Sequence, residues 1–304
     1  MTRTQWIVVC AVAGLLAGCS TMKFSLPSVA QNPDGRQLPG KIIWHDLITD
    51  TPEQTQAFYS GLLGWEFETL PLTGANYTLI RHRGRPIGGM VDQNRLPTEA
   101  DVSQWVVVIS VADIERAVAA VAGAGGEVIT APTSLGERGD IAVVVDPQGA
   151  AMALLETRDG DPPDPGVTAG PGDFLWDELW SADPVAARDF YRVAVGYSVE
   201  ERRLASSEQQ ADYHVLSTGG RPRAGLRERP REDIPPTWVS YLRVADANQL
   251  DDILSRVEEL GGRILVPATD RPAGGRVALI AGPSGAGIAL QTWNADQTMA
   301  EAES

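Results

Sequence analysis

The sequence predicts an α+β protein of two tandem domains, each assembled from two βαβββ modules. Three observations carry that reading. Trp44-His45-Asp46-Leu47, running on to Phe58-Tyr59 and Gly64, returns as Trp176-Asp177-Glu178-Leu179, Phe190-Tyr191 and Gly196, each pair 132 positions apart (44 to 176, 58 to 190, 64 to 196). The echo continues downstream. Tyr77, Gly84-Arg85-Pro86 and Gly89 match Tyr213, Gly220-Arg221-Pro222 and Gly225 at a spacing of 136 (77 to 213), and Trp105 and Asp113 match Trp238 and Asp246 at 133 (105 to 238). Thr133, Gly139, Pro147 and Gly149 then match Thr269, Gly275, Pro283 and Gly285, again at 136 (133 to 269). Finally, a Val/Ile-rich strand followed by an Asp-capped helix restarts the pattern halfway through each copy. Self-similarity of this kind marks a duplicated unit that is itself internally repeated.

Residues 1–19 stand outside the fold. Arg3 supplies a positive start, and Trp6 to Ala17 is an apolar run too short to span a bilayer. Residues 20–40 are polar and carry Pro27, Pro33-Asp34-Gly35 and Pro39-Gly40, which predicts a tether. The first domain is expected over 41–157. Lys41 to Ile48 reads as a strand. Thr51, Pro52 and Gln54 read as a capping-box helix start, and Gly64 as its stop after Leu63. Strands follow at Trp65 to Leu70, Tyr77 to Arg81 and Ile87 to Val91, with Gly84-Arg85-Pro86 as a turn. The second module opens with Trp105 to Val111, has Asp113 capping a helix through Ala122, and ends with strands at Val128–Ile129, Ile141–Val145 and Ala151–Leu155. Residues 158–170 are rich in Pro, Asp and Gly and read as a linker. The second domain, 171–294, repeats the first, and 295–304 is an acidic tail.

The formal charge of -15 excludes a basic footprint for nucleic acid. The two cysteines, Cys10 and Cys19, both precede the domains, which therefore offer no disulfide, thiolate nucleophile or zinc–thiolate site. The Gly-rich pieces lack the strand-to-helix placement of a phosphate loop, and no Ser-His-Asp spacing stands out.

Two resemblances follow from these residues. Leu16-Ala17-Gly18-Cys19 resembles the lipobox of bacterial lipoproteins. It implies cleavage before Cys19, acylation of that residue, and, with Ser20 next, a place in the cell envelope on the periplasmic face of the outer membrane. The paired βαβββ modules, the strand leading to Asp/Thr-Pro and Phe-Tyr-x(4)-Gly, and the closing Asp-Pro-x-Gly hairpin of domain one resemble the vicinal oxygen chelate superfamily, which includes glyoxalases, bleomycin-resistance proteins and extradiol dioxygenases. The resemblance covers 41–294 and implies a curled mixed sheet in each domain, closing a cup. Members that are enzymes hold a divalent metal in that cup through His, Glu or Gln. Carried over one by one, those positions fall on Trp44 and Trp176, Val106 and Val239, and Ala153 and Ala289, none of which ligates a metal. A shift of one residue recovers His45 but not the remaining ligands. The expectation is the family fold with no metal or other cofactor.

Strand alternation puts Trp44, Asp46 and Ile48 on one face, and Trp176, Glu178 and Trp180 on the equivalent one. If these faces line the cups, Asp46 and Glu178 are carboxylates in half-apolar surroundings, suited to a general base or a hydrogen-bond anchor. The alternative is a structural carboxylate paired with a nearby arginine such as Arg85 or Arg221. Trp44, Trp105, Trp176 and Trp238 with Tyr77, Tyr213 and Tyr241 offer the walls of a flat ligand slot, or simply fill the core. His82 and His214 have no histidine counterpart in the other copy and read as satisfied or surface residues. The leading expectation is an envelope lipoprotein that binds a small molecule, aromatic among the options, with no catalytic residue assigned, no nucleic acid partner and a membrane contact through the Cys19 lipid. A second reading is a glyoxalase-type lyase, isomerase or dioxygenase, its metal held by Asp46 or Glu178 together with Glu156 or His82. A third is a scaffold for envelope proteins.

Overall fold

The computed structural model describes residues 25–31, 33–72, 75–96, 98–164, 169–203, 212–271 and 274–293. Cys19, the signal expected before it and the 295–304 tail lie outside them. Domain one runs β1 (Ile42–Thr49), α1 (Pro52–Leu63), β2 (Glu66–Leu72), β3 (Ala75–His82), β4 (Arg85–Asp92), β5 (Gln104–Ser110), α2 (Ile114–Gly123), β6 (Glu127–Ser134), β7 (Gly139–Val145) and β8 (Ala151–Thr157). Domain two repeats it with β9 (Phe174–Ser181), α3 (Pro184–Ala194), β10 (Ser198–Arg203), β11 (Asp212–Thr218), β12 (Arg221–Glu228), β13 (Thr237–Val244), α4 (Ala247–Val257), β14 (Arg263–Asp270), β15 (Arg276–Ala281) and β16 (Gly287–Thr292).

Each domain is one curled eight-stranded mixed sheet, ordered β2-β3-β4-β1-β5-β8-β7-β6 and β10-β11-β12-β9-β13-β16-β15-β14. In every module the meander returns to pair its last strand in parallel with its first, as in β1 with β4 and β5 with β8. The two modules of a domain join at the centre, where β1 and β5 run antiparallel.

The local chemistry explains the helix ends. Asp113, Asp183 and Asp246 each accept a backbone N–H from the first turn of α2, α3 and α4. Gly64 closes α1 at φ 69, a left-handed conformation that costs glycine nothing, and its N–H reaches Ser60 O. Thr51 departs from expectation, because its side chain makes no bond to the first turn of α1. Thr49 takes its place locally: its hydroxyl accepts the Thr51 N–H (3.2 Å) and pairs with the Thr55 hydroxyl (2.8 Å).

The helical face of each sheet is buried against the other domain. Leu47, Phe58, Tyr59, Trp65, Ile80 and Trp105 form one core with Leu242, Leu250, Ile253, Ile280 and Leu290. Val107, Ile109, Val121 and Met152 form another with Leu179, Phe190, Tyr191, Leu216 and Trp238. The first module thus packs on the fourth and the second on the third. At this junction His45 Nε2 lies 2.9 Å from Asp177 Oδ1, the ring stacks on Phe174 at 3.7 Å, and the Ser240 hydroxyl donates to the same carboxylate (2.6 Å). His45 and Asp177 occupy equivalent places in the two copies.

The segment expected as a tether behaves differently from residue 25 onward. Leu26, Val29 and Ala30 are buried, and Leu26 N bonds Leu135 O (2.8 Å). Further along, Gly35 N bonds Asp159 O and Gln37 reaches Thr157 O (3.1 Å). The linker is similarly tied, since Asp164 meets both Lys41 and Arg223. Pro and Gly here shape a packed path rather than a free one.

Candidate functional site

The second face of each sheet lines a cup, and each cup holds a carboxylate, a tyrosine and a tryptophan in hydrogen-bond contact. In cup one the Trp44 indole N–H lies 2.8 Å from the Tyr77 hydroxyl and 3.1 Å from Asp46 Oδ1, and the Tyr77 hydroxyl donates to the same carboxylate oxygen. In cup two Trp176 donates to the Tyr213 hydroxyl (2.9 Å), which donates to Glu178 Oε1 (3.1 Å). The strand between them is shaped for this pair. Gly89 lies opposite Asp46 and Gly225 opposite Glu178, and a Cβ at either would overlap the tyrosine hydroxyl.

An arginine completes each cluster. Arg138 Nη1 donates to the Tyr77 hydroxyl (2.8 Å), with its guanidinium 4.7 Å from the Trp44 ring and 5.0 Å from the Tyr77 ring. Arg271 Nη2 lies 3.0 Å from Glu178 Oε1, and its Nη1 donates to Gln291 Oε1 (2.6 Å). Glu178 also accepts from the Tyr241 hydroxyl and from Trp180 Nε1 (3.3 Å), so it is fully buried yet richly bonded.

The two carboxylates respond in opposite directions. Burial pushes Asp46 above the usual aspartate range, and Arg138, Tyr77 and Trp44 only partly offset it. Burial pushes Glu178 up as well, but the Arg271 charge and the Tyr241 hydroxyl outweigh it and hold the group below its usual range. Tyr77 and Tyr213 are pushed up by burial and remain donors.

Four equivalent positions are aliphatic in cup one and carry a polar atom in cup two. Cup two carries Trp180, Tyr241, Arg271 and Gln291 where cup one carries Ile48, Val108, Leu135 and Leu155 (180 to 48, 241 to 108, 271 to 135, 291 to 155). The strand registers support two of these matches directly: Val108 and Tyr241 lie opposite Trp44 and Trp176, and Leu155 and Gln291 lie opposite Ile141 and Val277. Ile48, Val108, Leu135 and Leu155 form one apolar cluster with Leu26 and Val29 of the N-terminal segment. In cup two the walls stay partly exposed at Trp176, Ile234, Val277 and Leu279, whereas Trp44 and Val143, equivalent to Trp176 and Leu279, are 3% and 5% exposed.

Of the residues singled out from the sequence, the structure brings Trp44, Asp46 and Tyr77 together in one cup and Trp176, Glu178, Tyr213 and Tyr241 in the other. It does not bring Trp105 or Trp238 into either. Trp105 pairs with Leu47 and Trp238 with Leu179, on the helical face, where their indoles bond the Tyr59 and Tyr191 hydroxyls. Arg85 and Arg221 also lie elsewhere, on Asp173 and Asp164. The cup arginines and Gln291 escaped sequence reasoning. Arg138 and Arg271 come from equivalent hairpins but from different positions within them, so the repeat hides rather than reveals them.

The residues at the family's metal positions do not fit a metal. Val106 and Val239 lie opposite Asp46 and Glu178, and Trp44, Val106 and Ala153 line cup one as Trp176, Val239 and Ala289 line cup two, presenting no donor atom suited to a divalent ion. Among the described residues, no group of three or more His, Cys, Asp or Glu side chains is placed to hold one. Glu156 caps α2 through Ile114 N (2.8 Å), and His82 bonds Asp173 (2.8 Å), so neither joins Asp46 or Glu178. A surface depression of about 610 Å³ beside the end of α3, lined by Asp189, Arg192 and Tyr197, contains none of the cup residues.

Comparison with known proteins agrees with this architecture. Residues 43–155 match the family model of a glyoxalase-like domain, and residues 174–290 that of the glyoxalase/bleomycin resistance protein/dioxygenase superfamily. The anthracycline biosynthesis protein DnrV of Streptomyces peucetius is 31% identical over 273 residues, covering 84% of this chain and 94% of that protein. A protein named "Putative glyoxylase CFP32" in Mycobacterium tuberculosis is 28% identical over 247 residues, covering 80% and 91%. Among solved structures, the Mn(II)-bound glyoxalase from Novosphingobium aromaticivorans superposes with a TM-score of 0.56 at 15% identity, covering 84% of this chain and 83% of that one, a likeness of fold alone. The repeat, the paired eight-stranded sheets and these matches place the chain in the glyoxalase/bleomycin resistance protein/dioxygenase superfamily, in its tandem two-domain form.

Proposed function

We propose that the protein binds a small, flat aromatic molecule in the cup of domain two, without a metal. The observation that carries this reading is the four-position difference between the cups. Domain two places Trp180, Tyr241, Arg271 and Gln291, beside a wall partly exposed at Trp176, Ile234, Val277 and Leu279, where domain one has four buried aliphatic side chains. Aromatic faces supply most of the contact area, and Arg271, Gln291 and the tyrosines fix orientation. Glu178 acts as an anchor for these groups. Held ionised below its usual range, it is a weak base, which favours binding over proton abstraction. The similarity to a protein of anthracycline biosynthesis supports a polycyclic aromatic ligand.

The test is a tryptophan-fluorescence titration of the chain from Ser20 with an anthracycline and with anthracene-2-carboxylate. Saturable binding that Trp176→Ala weakens at least tenfold is the expected result. Absence of saturable binding to both, or binding indifferent to Trp176→Ala and Arg271→Lys, overturns the proposal.

The same protein is proposed to be a lipid-anchored envelope lipoprotein, on the strength of Leu16-Ala17-Gly18-Cys19. Several acyl chains make such an anchor stable. Cys19→Ala is expected to move the protein from the detergent phase to the aqueous phase and abolish fatty-acid labelling. An unchanged partition rejects the anchor.

A further inference from the structure

We propose that residues 25–31 are the resident ligand of cup one: a displaceable peptide seated where cup two takes its small molecule. The inference extends the binding reading of domain two to the cup that reading leaves aside.

The segment is built into the cup at several points. Leu26 and Val29, 3% and 5% exposed, join Trp44, Tyr77, Leu79, Val108 and Leu155 in one apolar cluster. Three polar contacts hold the backbone in register. Leu26 N donates to Leu135 O (2.8 Å), Glu137 N donates to the Ser25 hydroxyl (3.0 Å), and Arg138 Nε donates to Pro27 O (3.0 Å). Gly136, at φ 70, passes so close to Ser25 that a Cβ there would collide with it. The hairpin that carries Arg138 is therefore fitted to the segment as well as to the sheet.

What lies beneath the segment is a ligand site in its own right. Trp44, Tyr77 and Asp46 form the same cluster as Trp176, Tyr213 and Glu178 across the way. Arg138 is 2% exposed, and its Nη2 has no hydrogen-bond partner among the described residues. An unused, buried guanidinium N–H beside two aromatic faces suits a flat aromatic anion. The segment covers the faces but leaves that donor unmet. An aliphatic peptide is also the occupant that Ile48, Val108, Leu135 and Leu155 favour, whereas the polar side chains of cup two do not.

The chain from Ser20 retains every described residue and contains no cysteine, so an introduced thiol is a unique reporter. Val29→Cys is expected to react with a thiol reagent at least a hundredfold more slowly than Gln31→Cys, which is exposed, and adding Leu26→Asp is expected to raise the Val29→Cys rate at least tenfold. Equilibrium dialysis with anthracene-2-carboxylate then counts sites. The Leu26→Asp/Val29→Asp chain is expected to bind one more molecule than the parent. A peptide spanning residues 25–31 displaces that molecule, and Trp44→Ala abolishes its binding. If the double variant fails to fold by circular dichroism, Leu26→Ser/Val29→Ser replaces it. Equal labelling at positions 29 and 31 overturns the inference, as does a segment that has left by labelling with no site gained. A parent that binds none and a variant that binds one would reject the reading of cup two while sustaining this one.

Discussion

Glu178→Gln is the most informative single change, because it converts a buried ion pair into a buried unpaired cation. Glu178 is fully buried, and Arg271 opposite it is 16% exposed in its side chain. Removing one charge from such a pair costs about 3–5 kcal/mol, since the partner keeps its desolvation penalty and loses its compensation. Glutamine still accepts from Tyr241 and Trp180, so the lower end applies, about 3 kcal/mol. The shared cores couple the domains into one unfolding unit, for which this corresponds to a fall in Tm of roughly 6–12 °C. The pH dependence follows from the direction of the Glu178 shift. A carboxylate held below its usual value of 4.5 stabilises the fold above that pH and loses the contribution as pH falls through the folded value. The gap between parent and Glu178→Gln is therefore full at pH 7 and closes on acidification below 4.5. Differential scanning calorimetry at pH 7 and pH 3.5 reads both. The double change Glu178→Met/Arg271→Met should recover most of the loss, as hydrophobic replacements of buried pairs do. A Tm change under 2 °C at pH 7, or a double variant as unstable as the single one, would refute the reasoning.

Three further outcomes are expected. Asp46 is raised by burial, so its contribution is fullest below the usual 3.8 and is lost as pH rises through the folded value; Asp46→Asn should match or exceed the parent in Tm at pH 7, within about 1 kcal/mol, with the margin growing from pH 4 upward. Gly225→Ala sets a Cβ against the Tyr213 hydroxyl and 3.0 Å from Glu178 Cγ, which should cost about 1–3 kcal/mol in urea unfolding and weaken ligand binding in cup two. Trp105→Ala empties part of the core between the domains, at a cost of about 3–5 kcal/mol, and should leave affinity at cup two unchanged. Loss of that affinity in a folded variant would put the indole back in the site.

The fold was legible because each element is announced twice, by its own turn and cap residues and by its copy. Asp113 and its repeat Asp246 cap as expected, and Gly64 stops α1. The site was half legible. Alternation along β1 and β9 correctly grouped Trp44 with Asp46 and Trp176 with Glu178, because period two needs no knowledge of pairing. Trp105 and Trp238 were a different problem. Their face depends on antiparallel register against Leu47 and Leu179, which alternation within one strand does not supply. Arg138 and Arg271 arrive from hairpins distant in sequence and out of step with each other. The packing of residues 25–31 had no sequence signal beyond Leu26, Val29 and Ala30, too few apolar residues to show a period.

The His45–Asp177 contact bears on how the two halves recognise each other. Because the pair occupies equivalent places, a dimer of two first domains would set imidazole against imidazole, and one of two second domains would set carboxylate against carboxylate, unpaired in a buried seam. Only the mixed combination sets an imidazole nitrogen against a carboxylate oxygen. This one position makes the seam discriminate between like and unlike halves. If the chain were severed in its linker, the halves would be expected to assemble as an obligate heterodimer, one of each.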